Sequence, residues 1–169
     1  RKFGTNNLPD CSNMCHESSG TALSESLGIG KGSVTLEDFN HAELVMVVGQ
    51  NPGTNHPRML SALRNTKKNG GKIISINPLP ETGLISFKDP QRPIDWLGKG
   101  VELTDLFLQV RINGDLALFK AILYLLVQKE NSNPGSQFDW EFINSKTIGV
   151  EALLENIKKQ KFDFLVQES

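Results

Sequence analysis

Three side chains near the start of the chain, Cys11, Cys15 and His16, have the types and spacing to do chemistry. A thiolate beside an imidazole suits nucleophilic catalysis or a soft metal ion, and either cysteine can instead be a buried structural thiol. The spacing lacks the C-x2-C pairs of common zinc sites, and His41 and His56 are too isolated to complete a pattern. A nucleophilic Cys15 needs a base from a distant segment. We expect Cys11 to be structural, and the chemistry of Cys15 stays open at this point.

Length and charge limit the classes of protein to consider. The 169 residues are one domain's worth, and we expect a single domain over 1–169. With 18 basic and 19 acidic side chains the net charge is −1, so no overall field favours nucleic acid or an anionic membrane surface. The apolar runs, the longest around 121–127, are too short to cross a bilayer, and two cysteines make no disulfide framework. We expect a cytoplasmic protein with no nucleic-acid partner and no membrane insertion. Because the chain opens at Arg1 within a predicted loop, we also expect a fragment of something longer.

The clearest structural pattern is a strand–helix–strand unit. Residues 43–48 (Glu-Leu-Val-Met-Val-Val) form an apolar run typical of a strand buried on both faces of a parallel sheet. In the turn-rich loop that follows, Thr54 or Asn55 is placed to cap a helix with Pro57 in its first turn. Residues 69–71 (Asn-Gly-Gly) stop that helix, and 72–77 predict a second strand. Together they predict a βαβ unit.

The remaining elements complete an α/β pattern. Helices are predicted at 21–27 and 35–41, the second with Thr35 as its cap and Asp38 three residues later. A long loop excursion with prolines and glycines occupies 79–100. A third strand at 105–110, a helix at 116–129 that is apolar nearly all round and therefore expected to be buried, and helices at 140–144 and 150–159 follow. We predict an α/β fold with an open, mainly parallel sheet and helices on both faces.

Small and polar residues follow each predicted strand, where open parallel sheets bind ligands. They are Gly49, Asn51 and Pro52 after the first strand, Asn77 and Pro78 after the second, and Asn113, Gly114 and Asp115 after the third. The first loop leads to a helix N-terminus, which favours a phosphate, and the amide of Asn77 suits a ribose hydroxyl. Asp115 is placed to accept from the exocyclic amine of a base or to cap its own helix. Each loop alone is ordinary turn chemistry and no G-x-G-x-x-G or Walker A pattern is present, but together they predict a nucleotide-shaped groove.

The combination resembles the molybdopterin-guanine-dinucleotide oxidoreductases, in the branch similar to formate dehydrogenase. The resemblance is carried by 11–16 (Cys-Ser-Asn-Met-Cys-His), by 49–52 (Gly-Gln-Asn-Pro) with His56-Pro57, by Asn77-Pro78 and by the turn 113–115. It covers nearly the whole chain. The chain departs from the family at 17–19, where Glu-Ser-Ser replaces Gly-Pro-Ser/Thr, and at Asn77, where the family has a ribose-contacting Asp.

The resemblance implies a role for each matched residue. Cys15 corresponds to the molybdenum ligand, and His16 to the acid/base that takes a proton from formate or a similar small substrate. The loops at 49–52, 77–78 and 113–115, with His56, correspond to the surroundings of the guanine dinucleotide in a molybdenum-bis(molybdopterin guanine dinucleotide) cofactor. A 4Fe-4S cluster is implied only for the missing part of the parent, whose remaining domains are then partners of this one. The isolated chain is expected to be catalytically inert.

Two alternatives remain beside this interpretation. The changes at 17–19 and at Asn77 also suit a non-catalytic nucleotide- or partner-binding α/β module that keeps the fold but has lost the metal site. A zinc-dependent hydrolase is the third and weakest possibility, and it predicts zinc instead of molybdenum or tungsten in the parent.

Overall fold

The computed structural model describes residues 2, 4, 5, 7, 16–89 and 98–169. In chain order its elements are α1 (Glu17–Leu27), α2 (Leu36–His41), β1 (Leu44–Val48), α3 (Pro52–Asn55), α4 (Pro57–Lys68), β2 (Lys72–Asn77), α5 (Thr82–Ile85), β3 (Leu106–Gln109), α6 (Asp115–Ser132), α7 (Trp140–Lys146), α8 (Val150–Lys158) and α9 (Phe162–Glu168).

The centre of the fold is a small open sheet in the order β1-β2-β3, with both pairs of strands parallel. Val45 lies beside Ile73 and Val47 beside Ser75, and on the other side of β2 Ser75 lies beside Phe107. Helices surround this sheet, and the predicted α/β fold with an open parallel sheet is confirmed.

The predicted βαβ unit is present and forms the core. One face of α4 buries Leu60 and Leu63 against Val47 and Ile73, in a cluster that also contains Leu84, Phe87 and Leu103. Pro57 is the first residue of α4, as predicted, and Lys67 and Lys68 occupy its last turn, where positive charge offsets the helix dipole. Burial of this apolar stripe is the main local contribution to stability.

The predicted cap of the helix after β1 is wrong. Neither Thr54 nor Asn55 caps α4, because the chain first forms the separate turn α3, which begins at Pro52. Asn51 caps that turn, since its Oδ1 accepts from the backbone N–H of Thr54 at 3.2 Å. The predicted cap of α2 is confirmed: the Thr35 N–H donates to Asp38 Oδ2 at 2.6 Å, which lowers the pKa of Asp38.

Asp105 fixes the register at the amino edge of the sheet. Its Oδ2 accepts from the Ile73 N–H at 2.9 Å, and Lys67 Nζ and Lys72 Nζ lie 3.4 and 3.5 Å from its Oδ1. The backbone hydrogen bond from Ile73 is the main cause that lowers the pKa of Asp105, and the two lysines add to it. One carboxylate thus ties β2, α4 and the start of β3 together.

The long segment predicted as a loop at 79–100 contains structure. It forms the short helix α5, and an antiparallel bridge joins Phe87 to Val101. Leu84 and Phe87 are buried in the core beneath it. Residues 90–97 of the predicted excursion lie outside the described part.

The predicted burial of the long apolar helix is wrong for most of α6. Ala121, Val127 and Glu130 are buried, but Leu116 is 67% exposed and Leu125 is 47% exposed. α6 packs against α8 and α9, where Tyr124 stacks on Phe162 with ring centroids 5.6 Å apart, and these two helices cover only part of its circumference. Within the described residues, no helix is long and apolar enough to cross a membrane.

Candidate functional site at the carboxyl edge of the sheet

The loop after β1 leaves the sheet through a left-handed residue. Gly49 has φ +65°, a conformation that favours glycine, and its N–H donates to Ile76 O at 2.9 Å. The space beside its Cα is open, with no atom within 4 Å of the position that a Cβ would take. Asn51 then caps α3 and Pro52 is buried beneath the loop. The exposed backbone at Gly49 can therefore approach a ligand closely.

Asn77, the last residue of β2, joins the first loop to the second. The residue is 8% exposed, and its Nδ2 lies 3.4 Å from Gln50 O and 3.5 Å from Glu81 Oε1, while its Oδ1 is 3.4 Å from the N–H of Leu79. These contacts are at the long limit for hydrogen bonds, so a buried amide is held weakly by its protein partners. Such an amide is able to strengthen its hydrogen bonding with a ligand at this edge.

The short helices α3 and α5, which follow β1 and β2, contact each other through two glycines. A Cβ added to Gly83 in α5 would lie 3.0 Å from Gly53 Cα in α3 and 3.2 Å from Leu60 Cδ1. At both positions of this contact there is room for glycine but not for a residue with a side chain. The approach of α3 to α5 therefore depends on small residues in both helices and sets the distance between the first two loops.

The third loop is tied to the second by Gln109. Gln109 Nε2 donates to Pro78 O at 2.9 Å, and the N–H of Val110 lies 3.4 Å from Asn77 O. The predicted turn then follows: Asn113 is exposed with φ +70°, Gly114 precedes α6, and Asp115 is the first helical residue. Asp115 is thus in the first turn of α6, where its charge is favourable, and not at the cap position.

His56 lies beside the first loop without entering the sheet edge. It is exposed between α3 and α4, and with Gln50 and Arg58 it lines a groove of about 760 Å³ whose other walls are mainly apolar. Its backbone N–H donates to Pro52 O at 3.0 Å, and its backbone oxygen accepts from Met59 at 2.8 Å. The backbone of His56 therefore joins the two helices, and its ring is accessible.

The predicted catalytic pair is only partly visible. Cys11 and Cys15 lie outside the described residues. His16 is exposed directly before α1, and its backbone oxygen accepts from the N–H of Gly20 at 2.8 Å. Among the described residues no hydrogen bond joins His16 to the sheet edge, and no group of three or more His, Cys, Asp or Glu is placed to hold a metal ion. The assignments of Cys15 and His16 remain predictions.

Two residues of this edge were missed in the sequence: Glu81 and Gln109. Gln109 carried a usable signal, since it is a polar residue near the end of an apolar strand. Glu81 carried none, because it lies inside the excursion and reaches Asn77 only through the folding of α5 against α3.

Comparisons with known proteins find relatives that match nearly the whole of this chain. An uncharacterised oxidoreductase of Mycobacterium tuberculosis is 58% identical over 151 residues, which are 89% of this chain and 19% of that protein. Protein YdeP of Escherichia coli is 46% identical over 162 residues, 93% of this chain and 21% of the relative. The alpha subunit of the F420-dependent formate dehydrogenase of Methanocaldococcus jannaschii is 30% identical over 155 residues, 92% of this chain and 20% of the subunit. No model of a known protein family matches the chain.

The chain is therefore similar to one segment of longer proteins, of which one is named as an oxidoreductase and another as a formate dehydrogenase subunit. It spans about a fifth of the length of these relatives. The oxidoreductase and formate dehydrogenase-like part of the sequence prediction is confirmed at this level.

Proposed function

We propose that the chain is the central cofactor-binding domain of a molybdopterin-dependent oxidoreductase, and that the carboxyl edge of its sheet holds the guanine nucleotide of the cofactor. The parent acts on formate or a similar small substrate. The observation that carries the proposal is the convergence of three polar loops at one edge of an all-parallel sheet, joined there by Asn77 and Gln109.

The residues at this edge fit a nucleotide. The open side of Gly49 admits a ligand against the backbone, and the weakly held amide of Asn77 offers both a donor and an acceptor to sugar hydroxyls. Asn113 and Asp115 supply polar groups at the third loop, and Pro78 and Gly114 shape the backbone around them. Open parallel sheets bind nucleotides outside the carboxyl ends of their strands, which is where these loops lie.

In the proposed reaction the chemical roles belong to Cys15 and His16, near the start of the chain. A bound molybdenum centre supplies two-electron redox chemistry. Cys15 provides a thiolate, a ligand type that such a soft site accepts, and the imidazole of His16 accepts the proton that the substrate releases. Exposure of His16 leaves its ring nitrogens free of a competing structural role in the described part of the chain.

The test is the metal and guanine nucleotide content of the purified parent. We expect both in near-stoichiometric amounts, with molybdenum or tungsten as the metal. Cys15→Ser should lower the metal content about tenfold or more, while the matched variant Cys11→Ser should keep it. A parent with nucleotide but no molybdenum or tungsten contradicts the catalytic proposal and favours the non-catalytic module, and zinc in their place favours the hydrolase.

The nucleotide arm of the test uses two glycines. Gly49→Ala adds a methyl group at the open side of the first loop and should reduce the nucleotide content. Gly70→Ala is the control, since Gly70 also has a positive φ, +94°, and open space around it but lies at the amino edge, before β2. Equal nucleotide content in the two variants contradicts the placement of the nucleotide at the carboxyl edge.

A further inference from the structure

One face of the sheet is apolar and only partly covered. Val45, Val47 and Ile73 point into the core with α4, and the residues between them point to the opposite face because side chains alternate along a strand. On that opposite face Met46, Ile74 and Leu106 form one row across the three strands. Met46 and Leu106, at the two ends of the row, are each 48% exposed.

Among residues 16–89 and 98–169, no strand pairs with the outer edge of β1 either. The N–H of Lys72 donates to Glu43 O at 2.8 Å and the N–H of Gly49 donates to Ile76 O at 2.9 Å, so alternate residues of β1 face β2. The backbone groups of Leu44, Met46 and Val48 therefore point away from β2. In the described part of the chain β2 is the only strand that pairs with β1.

An edge strand made only of apolar residues, such as β1, is unusual in a sheet whose edge stays exposed to solvent. Parallel sheets are normally covered on both faces, and edge strands that stay exposed usually carry lysine, proline or a bulge that prevents further pairing. β1 has the sequence Leu-Val-Met-Val-Val and carries none of these devices. Leu44 is 50% exposed at the start of the same edge. The edge therefore has the composition of an interior strand.

We propose that Leu44, Met46 and Val48 form a seam at which a parallel, apolar strand from the rest of the parent polypeptide joins the sheet beside β1. The observed strand order matches one half of a doubly wound sheet, and in such a sheet the next strand is added on the far side of the first. The relatives supply the chain length for such a strand, since this chain spans 19–21% of them.

A second copy of this chain fits the seam less well. Two copies related by a two-fold axis would pair β1 with β1 in antiparallel orientation, because such an interface is self-complementary. The sheet described here is wholly parallel, and purely parallel sheets occur more often than random pairing of strands would give. We therefore assign the seam to the parent's own chain.

The seam also bears on the site. In a doubly wound sheet the ligand crevice lies where the strand order reverses, which here is between β1 and the added strand. The loop from Gly49 to Pro52 is then one wall of the crevice, with the loops after β2 and β3 on the same side of it, and the loop after the added strand is the other wall. This consequence rests on the proposed function, whereas the seam itself does not.

Amide hydrogen exchange of the full-length parent and of the 169-residue chain tests the seam. The amides of Leu44, Met46 and Val48 should exchange about a hundredfold or more slowly in the parent than in the isolated chain. The amides of Val45 and Val47 face β2 and should be protected in both, which verifies that β1 is folded in each sample. Equal, fast exchange at the three seam amides overturns the proposal, and it does so whether or not the parent binds a nucleotide.

A charged variant identifies the occupant. Met46→Lys should leave the isolated chain folded, because the side chain is half exposed there, but should abolish the protection of Leu44 and Val48 in the parent. Ile148→Lys, at a fully exposed isoleucine, is the matched control and should leave that protection unchanged. If the isolated chain instead forms a dimer with protected seam amides, and Met46→Lys dissociates it, the assignment to the parent's own strand is overturned.

Discussion

Glu130 shows how a single carboxylate organises a loop that looks featureless in the sequence. It is buried near the end of α6 and accepts hydrogen bonds from the N–H groups of Gly135, Gln137 and Phe138 at 2.6, 2.9 and 3.3 Å. The indole N–H of Trp140 donates to it as well, at 2.6 Å. These donors, the Gly135 N–H above all, lower the pKa of Glu130 to about 2. The turn between α6 and α7 is therefore built around one negative charge.

The lowered pKa predicts a definite dependence of stability on pH. A carboxyl group whose folded-state pKa is depressed stabilises the fold above its ordinary pKa of 4.5, and this contribution is lost as the pH falls toward 2. Glu130→Gln should lower the melting temperature at pH 7, and the difference from the wild type should shrink as the pH falls through that window. Thermal unfolding between pH 2 and pH 7 measures it.

Glu155→Gln is the control for this prediction, since Glu155 is an exposed carboxylate on α8. Its melting temperature should follow that of the wild type at every pH. A constant difference between Glu130→Gln and the wild type across the whole range would show that the charge of Glu130 does not contribute.

At the scale of elements, the contact of α3 with α5 controls how the strand-end loops meet. Gly83→Ala places a methyl group 3.0 Å from Gly53 Cα, and this neighbour is backbone that cannot turn aside. Overpacking of this kind costs about 1–3 kcal/mol. The variant should unfold at a lower urea concentration than the wild type, and the parent carrying it should hold less guanine nucleotide because the first two loops are forced apart.

Gly32→Ala serves as the comparison for Gly83→Ala, since nothing lies within 4 Å of a Cβ at Gly32. Its urea midpoint should stay close to that of the wild type. Equal stability of the two variants would show that the α3–α5 contact is looser than the distances indicate.

The elements that the sequence predicts are those with a strong local signal. The strands and α4 carry an apolar run or a periodic stripe bounded by turn residues, so the βαβ unit was predictable. The turns α3 and α5 have four residues each, too few to show a helical period. The exposure of α6 was not predictable. An apolar sequence indicates that a helix is buried, but it does not show which of its sides the neighbouring helices contact.

At the scale of the whole molecule, the sequence located the strand-end loops but not the contacts that join them. Gly49, Asn77 and Gly114 are recognisable because parallel sheets bind ligands after their strands. The contacts of Asn77 with Gln50 and Glu81 depend on the packing of α3 against α5, which no local pattern reports. Long-range packing is thus what separates a list of candidate residues from a site.

At the same scale, we predict that the 169-residue chain alone does not catalyse. The relatives that this chain matches are about five times as long, so a parent of that length has room outside this segment for groups that would surround the proposed cofactor and carry electrons away. The open edge of β1 also leaves one wall of the proposed crevice to be supplied by the parent.

We predict no formate-dependent reduction of a viologen dye by the isolated chain, even with the isolated cofactor added, under conditions in which the parent turns over. His16→Gln in the parent should lower its rate by about a hundredfold, as expected for loss of a general base. Dye reduction by the isolated chain that disappears in its own His16→Gln variant would contradict the prediction, because it would place the whole catalytic apparatus within these residues.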